Sequence, residues 1–142
     1  MAIVLATGAK VCFNTSVIEP SRQCSIVADL VFEGGILKFT RYGVGWSAVS
    51  GPLGNGGLPN GRYTCTNLHT RTTPAMVKEG VGFSVDVNPQ FNTNRTLLRI
   101  HPDGNVAGTQ GCIGITEEVR ECYEALKRLL PEASSTCELE VK

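Results

Sequence analysis

A single stretch of this sequence carries the pattern of an amphipathic helix, and this limits the chain to folds with little helix. Between Glu117 and Leu130 the apolar side chains recur at the i, i+3, i+4, i+7 spacing of one buried helix face. Thr116 is the predicted N-cap, and Pro131 prevents continuation. The remaining apolar segments are short and are separated by turn residues, among them many of the 16 glycines. The sequence therefore predicts a mainly β domain with one C-terminal helix.

The clearest strand pattern is a β-hairpin in the first third of the chain. Residues 25–32 and 36–42 are rich in aliphatic and aromatic side chains, and Glu33-Gly34-Gly35 between them is a turn signal. Residues 51–61 contain five glycines and two prolines and predict a surface loop. Other segments with strand-like patterns are 2–5, 10–17, 62–67, 81–87, 96–100, 113–115 and 137–141.

Length and composition indicate one globular domain over residues 1–142. A chain of this length buries enough surface to fold without disulfides. Thirteen basic and thirteen acidic side chains cancel, and no basic run occurs, so nucleic acid and anionic membranes are poor candidates as partners. No apolar run approaches the length of a membrane span, and the N-terminus does not have the pattern of a signal peptide. We expect no membrane insertion and no export by a signal peptide.

A Gly-rich loop between two short apolar segments carries a histidine at one end and a cysteine at the other. His101 follows the segment 97–100, and Cys112 precedes the segment 113–115. Pairing of these segments would bring an imidazole to a thiol, the minimum equipment of a cysteine nucleophile with its base. Gly111 allows close approach of a substrate to backbone amides that could stabilise an oxyanion, and Thr109 could donate a further hydrogen bond.

Several residues fit more than one interpretation. Six cysteines lie at 12, 24, 65, 112, 122 and 137, with no Cys-x-x-Cys pair, so the disulfide state stays open. A buried cysteine is often only a small apolar side chain, and a Gly-rich loop is often only a turn. Trp46 and Tyr63 fit either a substrate groove or the core. A zinc site is formally possible, although no paired-cysteine knuckle supports it; its ligands would be Cys65, His69, His101 and Cys112.

The loop resembles the signature of the L,D-transpeptidase catalytic domain family, also called YkuD-type. That family has a histidine followed by Ser/Thr-x-Gly-Cys, matched here by His101 and by Thr109-Gln110-Gly111-Cys112. Residues 57–64 are similar to the family's Pro-x-Gly turn and following strand, and the predicted hairpin is similar to its early sheet. The resemblance covers residues 26–116 and implies a β-sandwich of mixed sheets.

The resemblance implies an enzyme that needs neither cofactor nor metal and acts on the stem peptides of peptidoglycan. Cys112 would attack the L-centre carbonyl of the third residue, a diamino acid, and release the terminal D-Ala. His101 would take the thiol proton and later protonate the leaving amine, and the Gly111 and Cys112 amides would form the oxyanion hole. Water as acceptor gives L,D-carboxypeptidase action, whereas an amine gives transpeptidation or exchange.

The chain departs from the family pattern at two points. The interval from His101 to Cys112 is shorter than in exported members, and Gly114 stands where the family commonly has an arginine. Arg99 or Arg62 would then hold a substrate carboxylate. The short interval is similar to a divergent branch that includes interbacterial toxins. That branch implies delivery by a secretion system, with phage lysis as another route, action in the periplasm or cell wall, and an immunity protein as a candidate partner.

A second function class stays open beside the enzyme. The chain could be a non-catalytic cell-wall or protein-binding module with the same fold. Replacement of Cys112 by alanine separates the two, because it abolishes turnover and leaves binding intact.

Overall fold

The computed structural model describes the backbone of residues 3–4 and the whole of residues 27–142. This part of the chain contains ten strands, one α-helix and a short 3-10 turn, Pro74–Met76. The expected strand over 10–17 and the cysteines at 12 and 24 lie outside the described residues. The strands are β1 (Ile3–Val4), β2 (Leu30–Glu33), β3 (Ile36–Phe39), β4 (Val44–Ser50), β5 (Gly61–Thr70), β6 (Val77–Lys78), β7 (Val81–Pro89), β8 (Arg99–Pro102), β9 (Ile113–Ile115) and β10 (Thr136–Val141), and the helix is α1 (Val119–Leu129).

The prediction of a mainly β domain with one helix near the C-terminus is confirmed. The strands form one sheet in the order β1-β4-β3-β2-β10-β5-β7-β8-β9, and a further pairing between β4 and β9 closes it into a barrel. Two pairs of adjacent strands, β2–β10 and β8–β9, are parallel, and the other pairs of the ring are antiparallel. The expected layering was a sandwich, but the pairing of β4 with both β3 and β9 makes the sheet continuous.

The predicted hairpin is confirmed as β2 and β3. Gly34 and Gly35 link the two strands, with φ of 62° and 76°, as a tight reversed turn requires. Strand β4 was not predicted, because Gly45 and its serines interrupt the apolar pattern. The glycine is explained by the neighbouring strand: a Cβ at Gly45 would lie 2.7 Å from Cγ2 of Ile36.

The helix is confirmed, although it begins later than predicted and without the predicted cap. Glu118 is the N-cap, in a left-handed conformation (φ 49°, ψ 49°) and without a side-chain capping bond. The N–H of Val119 donates instead to Oε1 of Glu79, a residue distant in sequence, at 3.2 Å. Thr116 is not the cap because its N–H donates to the Ser47 carbonyl and continues the end of β9.

One apolar core joins the barrel and the helix. The helix buries Val119, Cys122, Ala125, Leu126 and Leu129, as its sequence pattern predicted. Tyr123 stacks on Phe83 of β7 with ring centroids 5.2 Å apart. In the described part of the chain, no helix has the length and apolar character needed to cross a membrane.

Candidate active site

Two parallel neighbouring strands, β8 and β9, position His101 and Cys112. Their register pairs Ile100 with Ile113 and His101 with Gly114. Ile100 and Ile113 are fully buried in the core. Because successive side chains of a strand point to opposite faces, His101 and Gly114 lie on the outer face of the barrel. Cys112 lies in the bend directly before β9, and the backbone N–H of Arg99 on β8 bonds to its sulfur. The strand pairing expected from the sequence is confirmed, and it brings Cys112 next to the strand that contains His101.

His101 is held in the protonation state of a general base. Its side chain is 8% exposed, and Nδ1 lies 2.6 Å from the carbonyl oxygen of Pro102. A carbonyl only accepts hydrogen bonds, so Nδ1 carries the proton and Nε2 has the free lone pair. Burial lowers the pKa of His101, against opposing effects of Pro102 and Asp103. The imidazole is therefore neutral at neutral pH.

Cys112 is a free, half-buried thiol. It donates a weak hydrogen bond to the Leu97 carbonyl, with Sγ 3.7 Å from the oxygen. Burial raises the pKa of Cys112, while a backbone hydrogen bond from Arg99 and the charge of its guanidinium act in the opposite direction. Among the described residues, the thiol and the imidazole bond to carbonyl groups and not to each other. The resting site therefore holds a neutral thiol and a neutral imidazole.

Leu97 carries this carbonyl in an unusual conformation. It has a φ of 56°, which is rare for a residue with a β-carbon, and its side chain is 74% exposed. The left-handed residue turns its carbonyl toward Cys112 and its apolar side chain toward solvent. Leu97 thus forms part of the rim around the thiol.

Thr109 ties the loop together and does not face a substrate. The side chain is buried, and its hydroxyl donates to the Cys112 carbonyl at 2.6 Å. The same oxygen accepts from the N–H of Gly51 at 3.0 Å and from the N–H of Gly111 at 3.3 Å. All its hydrogen-bonding capacity is used within the protein, so the expected bond to substrate is replaced by a positioning role.

Gly111 meets two requirements that exclude a side chain. Its φ is 129°, and a Cβ there would lie 2.8 Å from Nη1 of Arg95. Its N–H is directed at Thr109, which leaves the amide of Cys112 as the better oxyanion donor of the two that the sequence predicted.

Gly114 has no room for the arginine that the resembling family has at this position. A Cβ at Gly114 would lie 3.0 Å from Cβ of Asp103 and 3.0 Å from Cγ2 of Thr109. Asp103 is itself buried and accepts a hydrogen bond from the N–H of Gly108 at 3.1 Å. The folded loop therefore fills the space above Gly114.

The sequence offered two arginines as substitutes for the family arginine at position 114. Arg99 lies next to Cys112, and Arg62 does not. Arg99 is adjacent to Cys112 and forms an ion pair with Asp86, with Nε 3.5 Å from Oδ1. Arg62 lies on β5 beside β10, where its guanidinium is within 4.0 Å of Glu138 and 3.8 Å of Glu140.

The expectation that Trp46 and Tyr63 line a substrate groove is wrong. Trp46 is buried and packs edge-on against Phe39 at 4.9 Å. Tyr63 is fully buried, its hydroxyl donates to the Pro59 carbonyl at 2.5 Å, and burial raises the pKa of Tyr63 to about 12. Both belong to the core, the alternative that the sequence also allowed.

The four candidate zinc ligands do not converge. Cys65 is buried opposite Cys137 in the pairing of β5 with β10. Nδ1 of His69 lies 3.1 Å from the Asn67 carbonyl, near a bulge of β5. Within residues 27–142, no group of three or more histidine, cysteine or acidic side chains could hold a metal ion.

A cleft of about 320 Å³ is lined in part by Leu97, whose carbonyl accepts the hydrogen bond of the Cys112 thiol. It contains an arginine, Arg95, that sequence reasoning missed because nothing in the polar segment 92–96 distinguishes it from a solvent-exposed loop residue. The lining residues are Asp86, Val87, Asn88, Pro89, Arg95, Thr96, Leu97, Leu98 and Arg99.

The site combines an imidazole with a defined tautomer on β8, a free thiol directly before the neighbouring strand β9, and a nearby cleft lined by Arg95 and Arg99. A thiol and an imidazole are the groups that cysteine enzymes use for nucleophilic acyl transfer. Comparisons of the chain with protein-family models, with curated proteins and with solved structures gave no match.

Proposed function

We propose that this chain is a cysteine acyltransferase of the L,D-transpeptidase type. Its substrate is the stem tetrapeptide of peptidoglycan, and its reaction is L,D-carboxypeptidase hydrolysis, L,D-transpeptidase exchange, or both. The observation that supports the proposal is the parallel pairing of β8, which contains His101, with β9, which directly follows Cys112. The Thr109–Cys112 signature supplies the substrate class, and the fold we propose for the chain is a barrel-like form of the family's mixed β-sandwich.

The first half of the reaction forms a thioester. Sγ of Cys112 attacks the carbonyl carbon of the L-centre while the thiol proton passes to Nε2 of His101. The carbonyl oxygen becomes an oxyanion, which the backbone amide of Cys112 stabilises. When the C–N bond breaks, the leaving D-amino acid takes the proton from His101. The neutral resting pair suits this sequence because the imidazole is free to accept the proton at the moment of attack.

The second half of the reaction transfers the acyl group to an acceptor. His101 deprotonates either water or an amine, which attacks the thioester and releases the Cys112 thiol. Water gives a tripeptide, and a D-amino acid amine gives an exchanged tetrapeptide. The thiol is half-buried, and the residue that accepts its hydrogen bond, Leu97, lines the cleft, so we expect either acceptor to approach from the cleft.

The test is mass spectrometry of a disaccharide-tetrapeptide incubated with the protein. Wild type is expected to remove the terminal D-Ala, or to replace it when a labelled D-amino acid is added. Cys112→Ala and His101→Ala are expected to lose turnover. His69→Ala is the matched control, because His69 is the other histidine of the chain and lies on β5 away from the loop. If folded wild-type protein leaves the tetrapeptide unchanged, the proposed enzymatic function is refuted.

One observation favours a second candidate, a non-catalytic cell-wall or protein-binding module. In the resting site the thiol bonds to Leu97 and the imidazole to Pro102, with no bond between them among the described residues. For such a module, binding to purified sacculi or to a protein partner is equal in wild type and Cys112→Ala, and neither protein changes the muropeptides.

The proposed substrate fixes the proposed place of action. Stem peptides occur in the periplasm or cell wall, so we propose delivery there by a secretion system or during phage lysis, with an immunity protein as partner. Bacteria expressing the chain with an added periplasmic signal peptide are expected to lose viability, and those expressing Cys112→Ala in the same way are not. Equal viability in both strains contradicts a toxic role.

A further inference from the structure

Arg95 has a guanidinium group of which one nitrogen, Nη1, makes no hydrogen bond to the described residues, and this group lies next to the proposed nucleophile. Its Nη2 donates to the carbonyl oxygens of Asn55 at 2.9 Å and Gly57 at 2.8 Å, which fixes the side chain. Its Nη1 is buried, and it has no hydrogen-bond partner among the residues that the structure describes. A buried donor without an acceptor is costly, so this arrangement needs a reason.

The position of Nη1 points to the active site. A Cβ at Gly111 would come within 2.8 Å of it, so the guanidinium lies against the residue directly before Cys112. Arg95 and Leu97 also line the cleft, and the Leu97 carbonyl is the hydrogen-bond acceptor of the Cys112 thiol. The lining of the cleft thus includes the residue that accepts the hydrogen bond of the thiol and the arginine that lies against Gly111.

The charges of the cleft favour an anion. Its charged lining residues are Arg95, Arg99 and Asp86. Asp86 is already engaged, since Oδ1 lies 3.5 Å from Nε of Arg99 and Oδ2 accepts from Asn67 at 3.0 Å. No acidic side chain of the described residues pairs with Arg95. The cleft therefore has one uncompensated positive charge, and a planar guanidinium matches a carboxylate best.

We propose that Arg95 binds a carboxylate of the acyl donor and is a specificity-determining residue of this site. The inference rests on the proposed function and deepens it, because it limits the substrate to a peptide with a carboxylate close to the attacked carbonyl. Two carboxylates of a stem tetrapeptide fit: the terminal one of the leaving D-amino acid and the side-chain one of a diamino acid. In either case Arg95, on the segment between β7 and β8, would bind the carboxylate in place of the arginine that the resembling family has at the position of Gly114.

The first test needs no turnover. Iodoacetate and iodoacetamide both alkylate Cys112: the sulfur displaces iodide from the CH₂ carbon, the S–C bond forms, the C–I bond breaks, and the thiol proton goes to solvent. Only iodoacetate carries a carboxylate. The rate ratio of iodoacetate to iodoacetamide at Cys112, followed by peptide mass mapping at one pH, is expected to fall about tenfold or more in Arg95→Gln. Arg120→Gln, a change on an exposed helix position, is the matched control and is expected to keep the wild-type ratio.

The second test identifies which carboxylate is bound. Tetrapeptide muropeptides with a free terminal carboxylate or its carboxamide form one pair, and those with a free or amidated diamino-acid side chain form another. Wild type is expected to prefer the free acid in one pair by about tenfold in kcat/KM, and Arg95→Gln is expected to lose that preference. Arg95→Lys, which keeps the charge, is expected to restore part of it.

The outcomes separate the two proposals. If Arg95→Gln lowers turnover of acid and amide forms equally and leaves the alkylation ratio unchanged, Arg95 only holds the 55–57 loop, and the carboxylate site is refuted while the enzyme stands. If the alkylation ratio falls but no muropeptide is changed by wild type, the carboxylate site stands and the proposed function is refuted.

Discussion

The hydroxyl of Thr109 joins three segments of the chain at one oxygen. It bonds to Gly51, to Gly111 and to the carbonyl of Cys112, and it is buried. A hydroxyl is needed here because its one proton and two lone pairs match one acceptor and two donors. The signature threonine therefore fixes the backbone of Cys112.

Thr109→Val is expected to destabilise the protein by about 1–3 kcal/mol, because it leaves buried amide groups without a partner. Thr109→Ser keeps the hydroxyl and is expected to lose only about 1 kcal/mol for the missing methyl group. Denaturant unfolding measures both. Thr66→Val, which removes a single half-buried bond to Ser135, is the control and is expected to cost less than Thr109→Val. Equal losses in the two valine variants contradict the threefold role.

The directions of the two pKa shifts predict how the thiol reacts with pH. Burial raises the pKa of Cys112 and lowers that of His101, so both groups are neutral near pH 7. Alkylation of Cys112 by iodoacetamide is therefore expected to rise with pH up to and beyond the ordinary thiol pKa of about 8.5. A plateau near pH 6–7 would mean a preformed thiolate–imidazolium pair and would contradict the resting state described above.

The proposed turnover is expected to fall at acidic pH because of His101. Protonated His101 cannot accept the thiol proton, so kcat/KM is expected to fall as the pH drops through its lowered pKa, below about 6.5. His69→Ala is expected to leave this limb in place. A limb that lies above pH 6.5 would contradict a base that burial keeps neutral.

The sequence was informative about the candidate reactive residues and uninformative about the residues around them. His101 and Cys112 could be predicted because their chemistry is rare and the apolar segments beside them could only be strands. Trp46 and Tyr63 could not be assigned, since an aromatic side chain suits a groove and a core equally. Arg95 could not be found, because its role depends on the 51–57 loop, which approaches it only in the folded chain.

At the level of elements, patterns predicted most strands and missed the one that closes the barrel. The hairpin of β2 and β3 and helix α1 follow from local residue patterns. Strand β4 has partners on both sides, β3 on one and β1 and β9 on the other, and its glycine is there for close packing with Ile36. Such a requirement comes from the neighbouring strand and leaves no signal in a single sequence.

The start of the helix shows the same limit and gives a further prediction. Val119 is capped by Glu79, whose carboxylate accepts at a helix end that favours negative charge. Glu79→Ala is expected to lower the free energy of unfolding by about 1 kcal/mol, and Glu79→Gln by less, since it keeps an acceptor. Glu124→Ala, which removes an exposed pair with Lys127, is the control and is expected to cost less than about 0.5 kcal/mol. A loss from Glu124→Ala as large as that from Glu79→Ala contradicts the capping role.

At the level of the whole molecule, the barrel and the helix share one core, and the candidate active site lies outside that core. Cys65 on β5 and Cys137 on β10 face each other, and Cys122 lies on the helix. All three are buried members of the same apolar cluster. Two of these thiols are also less reactive chemically, because the hydrogen bond with Cys137 and burial raise the pKa of Cys65, and burial raises the pKa of Cys122. These residues can therefore report whether the barrel and the helix unfold together.

In a Cys112→Ala background, which removes the half-buried thiol among the cysteines of residues 27–142, the three buried cysteines are expected to resist iodoacetamide until the protein unfolds. Because they belong to one core, pulse alkylation along a denaturant series is expected to give the same midpoint for all three, as a single cooperative domain requires. Peptide mass mapping assigns the label to each cysteine. Labelling of Cys122 at lower denaturant than Cys65 and Cys137 would show that the helix detaches first, and strand β9, which directly follows Cys112, would then owe its position to the barrel alone.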